Sequence, residues 1–348
     1  MTKNNKFFRL LGLIIPLYLN FPGAAAADSA TKETEESTNG IIKKTGDTVE
    51  RYHGAFTRKY IDTVEWMDSY YGDSSYAEET NRSWARLRLD TVFKEEESAE
   101  LKARLKAKVI FPQTEGKIQF LFSGDDDDSF DQDEDDGSAF GSGGFSDEDN
   151  AAAALRYVKV HSPNFISRYD LGLHSRDSTY RLNVSAKQSY HWGIGEHWNG
   201  HISNRLWLFT SIGWEDDIKF EFDRLFGERQ NWLFRSFSKL RWREIEDYST
   251  FEQRFSFYNK LRGNSLIAYE GLAYYQTEPD EETGEKLEST ELRIRYRKNL
   301  WRPWFFTEVQ PAVGWPAKND YEETYSIIFR VEFLFNQSER VRQDNLMD

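Results

Sequence analysis

Glu291-Leu292-Arg293-Ile294-Arg295-Tyr296-Arg297 alternates a charged residue with a bulky apolar one at every step. A period of two is the signature of a β-strand, because successive side chains point to opposite faces of the pleat. One face of this segment would carry a carboxylate and three guanidinium groups, the other leucine, isoleucine and tyrosine. A helix would scatter both classes around its circumference. The fold therefore turns on which of these two faces meets water.

The same rhythm runs through most of the chain beyond residue 80. It recurs in Ala85-Arg86-Leu87-Arg88-Leu89-Asp90, in Leu101-Lys102-Ala103-Arg104-Leu105-Lys106-Ala107-Lys108-Val109, and in Tyr325-Ser326-Ile327-Ile328-Phe329-Arg330-Val331-Glu332-Phe333. Turn signals separate the segments at Lys94–Ser98, Thr114–Gly116, Ser162–Asn164, Arg176–Ser178, Glu215–Asp217, Gly227–Asn231, Gly263–Asn264, Pro279–Gly284 and Lys318–Asp320. Counting strands between turns predicts about fourteen, or twelve if two short ones merge.

Alternation alone fits a soluble sandwich as well as a membrane barrel. The two differ in the chemistry of their faces: a transmembrane barrel has an apolar outer band, aromatic girdles and a polar lumen. Aromatic residues make up 16% of this chain, and Trp84, Trp192, Trp198, Trp214, Trp232, Trp242, Trp301, Trp304 and Trp315 fall at apolar strand ends. Such rings suit a level where one edge is wet and the other meets hydrocarbon. The expected fold is all-β, a closed antiparallel up-and-down transmembrane β-barrel. With the first strand rising from the periplasm, the long acidic connections 125–149 and 279–286 both face outward.

The flanking segments give a domain plan. Lys3, Lys6 and Arg9 precede the apolar run Leu10–Leu19, and Ala24–Ala27 ends in an A-x-A site. This predicts a signal peptide over 1–27, cleaved near Ala27, and delivery to the bacterial outer membrane. Residues 28–79 comprise a polar leader and then an amphipathic helix, with Val49, Tyr52, Phe56, Tyr60, Val64, Met67 and Tyr71 at helical spacing. That helix is expected in the periplasm or as a plug. The barrel occupies 80–335, and 336–348 form a tail.

Charge and composition exclude several function classes. The net charge of −14 argues against nucleic acid as a partner. The absence of cysteine removes disulfide scaffolds, thiolate metal sites and cysteine nucleophiles. Segment 125–149 holds twelve acids and no base, so the remainder of the chain is far less acidic than the total implies. Asp131, Asp133 and Asp135 offer oxygen ligands for Ca²⁺, but Gly137 stands one place beyond the glycine position of an EF-hand loop. A solvated loop, bridged by divalent ions to lipopolysaccharide phosphates, is the favoured reading. No cofactor is implied.

Placing the polar parity inward lines the predicted lumen with basic side chains. Arg86, Arg88, Arg104, Lys106, Arg181, Arg205, Arg241, Arg243, Arg293, Arg295 and Arg297 are the candidate anion-binding residues. Fewer acids share that parity, among them Asp90, Asp170, Glu221, Asp223, Glu252, Glu291 and Glu308. Rings of Arg and Lys select anions, and a low-dielectric wall focuses their field. The predicted role is passage or binding of small anionic solutes. Pairing of the same charges could instead fill a closed, structural or adhesive barrel.

Taken together, these features resemble Gram-negative outer-membrane β-barrels of porin-like type, with no particular subfamily indicated. The last strand, Tyr325 to Phe335, is similar to that superfamily's C-terminal assembly signal of alternating aromatics ending on Phe, although Asn336 to Asp348 follow it. The resemblance implies outer-membrane lipids, lipopolysaccharide and the barrel-assembly machinery as partners. Separately, His201-Ile202-Ser203-Asn204 resembles the H-x-S-N motif of outer-membrane lipid hydrolases, the lipid A 3-O-deacylase and phospholipase A families. That likeness implies His201 as base, Ser203 as nucleophile and Glu215 as the group orienting the histidine. Against it, His201 and Ser203 share parity with Arg205, whereas Ile202, Leu206, Leu208 and Ile212 make the better lipid face.

Overall fold

A computed structural model describes residues 83–336, apart from 96, 115–116, 125–150, 163, 177–178, 195–197, 211–212, 228–230, 246–247, 262–263, 279–283 and 303. The signal-peptide, leader-helix, acidic-loop and tail expectations lie outside these residues, as do Asp131, Asp133 and Asp135.

Among the described residues fourteen antiparallel strands close into one barrel. In order they are β1 (Trp84–Lys94), β2 (Glu100–Ile110), β3 (Ile118–Ser123), β4 (Ala151–Ser162), β5 (Phe165–Arg176), β6 (Thr179–Ile194) and β7 (Trp198–Phe209). The chain continues with β8 (Gly213–Phe226), β9 (Trp232–Arg243), β10 (Ser249–Leu261), β11 (Ser265–Gln276), β12 (Leu287–Asn299), β13 (Phe305–Pro316) and β14 (Thr324–Asn336). Each strand pairs with its sequence neighbours, and β1 closes on β14 with Trp84 opposite Asn336 and Lys94 opposite Ser326. Closure removes the two exposed edges that an open sheet would leave. Apart from β3, with six residues, every strand has at least 11. That meets the ~9–11 tilted residues needed to cross a bilayer.

The two faces divide as the alternation predicts. Leucine, valine, isoleucine and aromatic side chains point outward around the barrel; Leu171 is 59% and Leu292 57% exposed. A continuous apolar band of this extent is stable only against hydrocarbon or another apolar surface. Aromatic rings cluster at the strand ends: Trp301 stacks on Phe305 at 5.3 Å, and Trp304 packs beside Phe333 and Phe335. Inward-facing positions are dominated by arginine, lysine, serine, aspartate and glutamate. The barrel thus has an apolar exterior and a polar interior, the inverse of a soluble sandwich. This is the fold of outer-membrane β-barrels.

Connections after odd-numbered strands lie on one rim, which we call the odd rim. Connections after even-numbered strands lie on the opposite, even rim, together with the start of β1 and the end of β14. Both long acidic connections, between β3 and β4 and between β11 and β12, leave from the odd rim.

One turn expectation is corrected. Glu215–Asp217 lies inside β8, which begins at Gly213, and β7 ends before it at Phe209. Three consecutive acids imitate a turn in sequence, yet here the strand's alternation runs through them, with Glu215 and Asp217 inward and Asp216 outward. Gly213 makes the start of β8 possible. Its φ of +86° is a conformation L side chains rarely adopt, and a Cβ there would stand 2.2 Å from the Glu244 carboxylate, which accepts a hydrogen bond from the Trp214 amide.

Candidate functional site: a lumen with two unlike walls

The strand parity that turns leucines outward turns the charged residues inward, and the register then decides which charges meet. In a ring of fourteen strands, β7 and β14 are diametrically opposite. The walls centred on these two strands differ in chemistry.

Around β14 the charges interlock. Arg86, Arg88, Arg104, Arg293, Arg295, Arg297 and Arg330 engage Asp90, Glu270, Glu291, Glu308 and Glu332 across β11 to β14, β1 and β2. Arg330 donates from Nε and Nη2 to the two oxygens of Asp90 at 2.7 and 3.1 Å. Glu308 accepts from Arg295 Nε at 2.9 Å and from Arg297 Nη1 at 3.1 Å. Arg297 reaches on to Glu332, which also accepts from Arg88 at 3.3 Å. Arg293 donates to Glu270 at 2.8 Å. Arg297 in addition stacks over the Phe306 ring at 4.5 Å. Arg295 and Arg297 are 0% exposed. Shared carboxylates and bidentate forks fix each planar guanidinium in direction as well as position.

The wall centred on β7 is built differently. Arg168 of β5 stands in register with Lys187 of β6, Lys187 with Arg205 of β7, Arg205 with Asp217 of β8, and Asp217 with Arg241 of β9. The adjacent row sets Ser189 opposite Ser203, Ser203 opposite Lys219, and Lys219 opposite Lys239. Arg168 donates to the Ser189 hydroxyl at 3.3 Å. Arg241 grips Asp217 through Nε and Nη2 at 2.8 and 3.1 Å, with Lys239 3.7 Å from the same carboxylate. Arg205 lies 5.2 Å over the Trp207 ring. Flanking this wall, Arg156 and Arg235 make bidentate pairs with Asp170 and Asp223. Like charges directly opposite one another across strands are unfavourable. This row sets three cations in succession, Arg168, Lys187 and Arg205, before it reaches the Asp217 carboxylate.

Exposure is graded along the lumen. Near the odd rim the side chains of Arg241 and Arg243 are 17% and 22% exposed, whereas Lys187 in mid-strand is only 2% exposed. The odd-rim mouth is thus the wetter end of the basic wall.

Arg86, Arg88, Arg293, Arg295 and Arg297, with Arg104 beside Asp90, belong to the interlocked wall. Arg205 and Arg241 lie on the basic wall, and Arg243 pairs with Glu215 at 3.5 Å at its odd-rim end. Lys106 of β2 is buried inside, and Arg181 of β6 faces inward opposite His174. Arg156, Lys219, Glu270, Arg330 and Glu332 also belong to the buried lumen face. Arg330 and Glu332 were visible in principle, since they alternate with Phe329, Val331 and Phe333. Asp217 was masked by its resemblance to a turn.

The H-x-S-N segment sits on β7 near the even rim, with His201 and Ser203 facing the lumen, buried. The structure does not bring Glu215 to them: Glu215 is in register with Trp207, and Glu221 is in register with His201. The Glu221 carboxylate stands 3.6 Å from His201 Nδ1. On its other side His201 stacks on His191, with ring centroids 4.2 Å apart. Among the described residues no group of three or more His, Cys, Asp or Glu is arranged to hold a metal ion.

No protein-family model and no curated protein sequence matches the chain. Solved structures do resemble it in outline. Over 73% of this chain, Pseudomonas putida OprB aligns across 94% of its own length at 7% identity and TM-score 0.45. The outer membrane channel DcaP of Acinetobacter baumannii aligns across 96% of its length, with the same share of this chain, 73%, at 8% identity and TM-score 0.42. An anion-selective porin from Comamonas acidovorans aligns across 98% of its length and 73% of this chain, at 12% identity and TM-score 0.41.

Proposed function

We propose that this barrel is a porin-like conduit in the bacterial outer membrane, binding and passing small anionic solutes through its lumen. The observation that carries the proposal is the row Arg168–Lys187–Arg205 on the inner face of β5 to β7, with Lys219 and Lys239 beside it. Fixed cations along a low-dielectric wall raise the local concentration of anions and repel cations. The interlocked wall opposite adds rigidity through its shared guanidinium–carboxylate contacts. Residues 1–27 would direct export and be removed, and the Tyr325–Phe335 strand would engage the assembly machinery. With the even rim in the periplasm, the acidic connections would face lipopolysaccharide.

The test is a reversal potential. Purified protein in a planar bilayer under a KCl gradient is expected to conduct with chloride preferred over potassium. A cation-preferring pore, or a folded and inserted barrel that carries no current, would overturn the proposal. The second outcome would favour a closed structural barrel.

A further inference from the structure

The outer face of the barrel is mostly apolar, and the few charges on it are sorted by sign. The lumen pairs Arg156–Asp170, Arg235–Asp223 and Arg297–Glu308 fix the inward parity of β4, β8 and β12, so Lys159, Arg224 and Lys298 face outward. Each is among the last four residues of its strand, at the even rim. Arg302 joins them from the turn between β12 and β13, and like Lys159 and Lys298 it is exposed. Aromatic rings mark the same level. The Arg224 guanidinium lies 5.2 Å over the Trp198 ring, and Trp301, next to Arg302, stacks on Phe305. The outward acids keep to the other end: Asp216 near the start of β8, and Glu95 and Glu244 just past the ends of β1 and β9, all lie at the odd rim. Among the described residues no carboxylate faces outward in the even-rim half of the barrel.

We propose that Lys159, Arg224, Lys298 and Arg302 form a basic belt that binds the phosphate headgroups of anionic glycerophospholipids in the leaflet bordering the even rim. This inference rests on the membrane-spanning fold and goes beyond the conduit reading, because the belt lies outside the lumen.

Depth, sign and spacing carry the proposal. Tryptophan rings settle where hydrocarbon gives way to headgroups, so cations beside them stand at the level of the lipid phosphates. Lysine and arginine stems can lie along the apolar surface while their charged ends reach that level. An anionic membrane surface attracts each such cation, and the attraction is felt within a Debye length. A carboxylate close by would cancel it, and the outward carboxylates lie at the opposite rim. The belt strands β4, β8 and β12 stand four strands apart, on different sides of the barrel. That distribution suits separate headgroups in a lipid annulus rather than one multiply charged molecule held in a pocket.

The experiment places the full-length protein in phosphatidylcholine vesicles and follows quenching of its tryptophans by brominated phosphatidylglycerol or brominated phosphatidylcholine. Trp198, Trp301 and Trp304 border the belt and report on it. At low salt phosphatidylglycerol is expected to bind at least about threefold more tightly than phosphatidylcholine. The preference should shrink toward unity in 1 M KCl. In Lys159→Gln/Lys298→Gln/Arg302→Gln it is expected to fall below about 1.5-fold, while Lys318→Gln, an exposed change at the odd rim, keeps it. The three belt side chains are exposed, so the triple variant should fold; retained heat-modifiable gel mobility checks this, and Arg224→Gln gives an independent arm. Equal quenching by the two lipids, or a preference undiminished in both belt variants, would overturn the belt. So would lipopolysaccharide that displaces the brominated lipid at a lower concentration than phosphatidylglycerol does, since the belt would then belong to that lipid. The assay needs no current. Belt-dependent phosphatidylglycerol binding by a barrel that does not conduct keeps the belt and removes the conduit; a chloride-preferring pore without lipid preference keeps the conduit and removes the belt.

Discussion

Glu308 is one of two hubs of the interlocked wall: its carboxylate receives two guanidinium groups directly and stands 3.8 Å from a third, Arg330, as Glu332 receives Arg88 and Arg297 and stands 3.7 Å from Arg86. Removing one member of a buried ion network leaves the others desolvated without their counter-charge, which costs about 3–5 kcal/mol. Glu308→Ala is therefore expected to lower the temperature at which the folded barrel loses its fast mobility on a gel. Glu308→Gln should recover only part of the loss, since an amide can accept a hydrogen bond but cannot balance the charge. If both variants melt with the wild type, the network contributes little and the wall is held by strand pairing alone. Part of this was open to sequence inspection. The inward parity of Arg293, Arg295 and Arg297 follows from two-residue alternation, but the identity of their partners depends on register between strands far apart in the chain. Asp90 and Arg330, 240 residues apart, meet only because β1 closes on β14.

At the scale of the strand, β7 shows how far a short motif can be trusted. His201 and Ser203 have the i, i+2 spacing that puts them on one face, and that face is the lumen, as their shared parity with Arg205 indicates. What the spacing could not supply was the neighbour. Glu215 stands twelve residues after Ser203 in sequence, whereas the antiparallel register places Glu221 beside His201 and sets Glu215 opposite Trp207. With both groups turned away from the apolar exterior, Ser203→Ala should leave lipopolysaccharide and phospholipid acyl chains as intact as the wild type does, in an assay of fatty-acid release. Acyl release by wild-type protein that disappears in this variant would instead establish a hydrolase. The outer face of the same strand makes a packing prediction. Gly200 lies beneath the Trp192 indole, and a Cβ there would come within 2.3 Å of the ring. Gly200→Val is expected to displace Trp192 and lower the unfolding temperature by several degrees, a steric effect independent of any lumen chemistry.

For the whole molecule, the net charge of −14 and the basic interior are reconciled by where the charges lie. Twelve acids belong to one segment, 125–149, that enters and leaves at the odd rim, while the wall around β7 gathers its cations inside. A sum over the chain therefore carries the wrong sign for the lumen, and only the parity of each strand reveals it. Strand number and closure were legible from alternation and turn spacing. The division of the lumen into one interlocked and one basic wall was not, because it arises from registers that place like charges together on β5 to β7 and opposite charges together on β11 to β1. This division has a measurable consequence. Screening acts over about 10 Å at 0.1 M salt and about 3 Å at 1 M. Selectivity that comes from the summed field of a wall should fade as that distance drops below the width of the bore. The chloride-to-potassium permeability ratio is thus expected to fall several-fold toward unity between 0.1 M and 1 M KCl, and Lys187→Glu/Arg205→Glu should lower it already at 0.1 M. A ratio that holds steady across that range would mean that anions are chosen by direct contact at a narrow point rather than by the field of the basic wall.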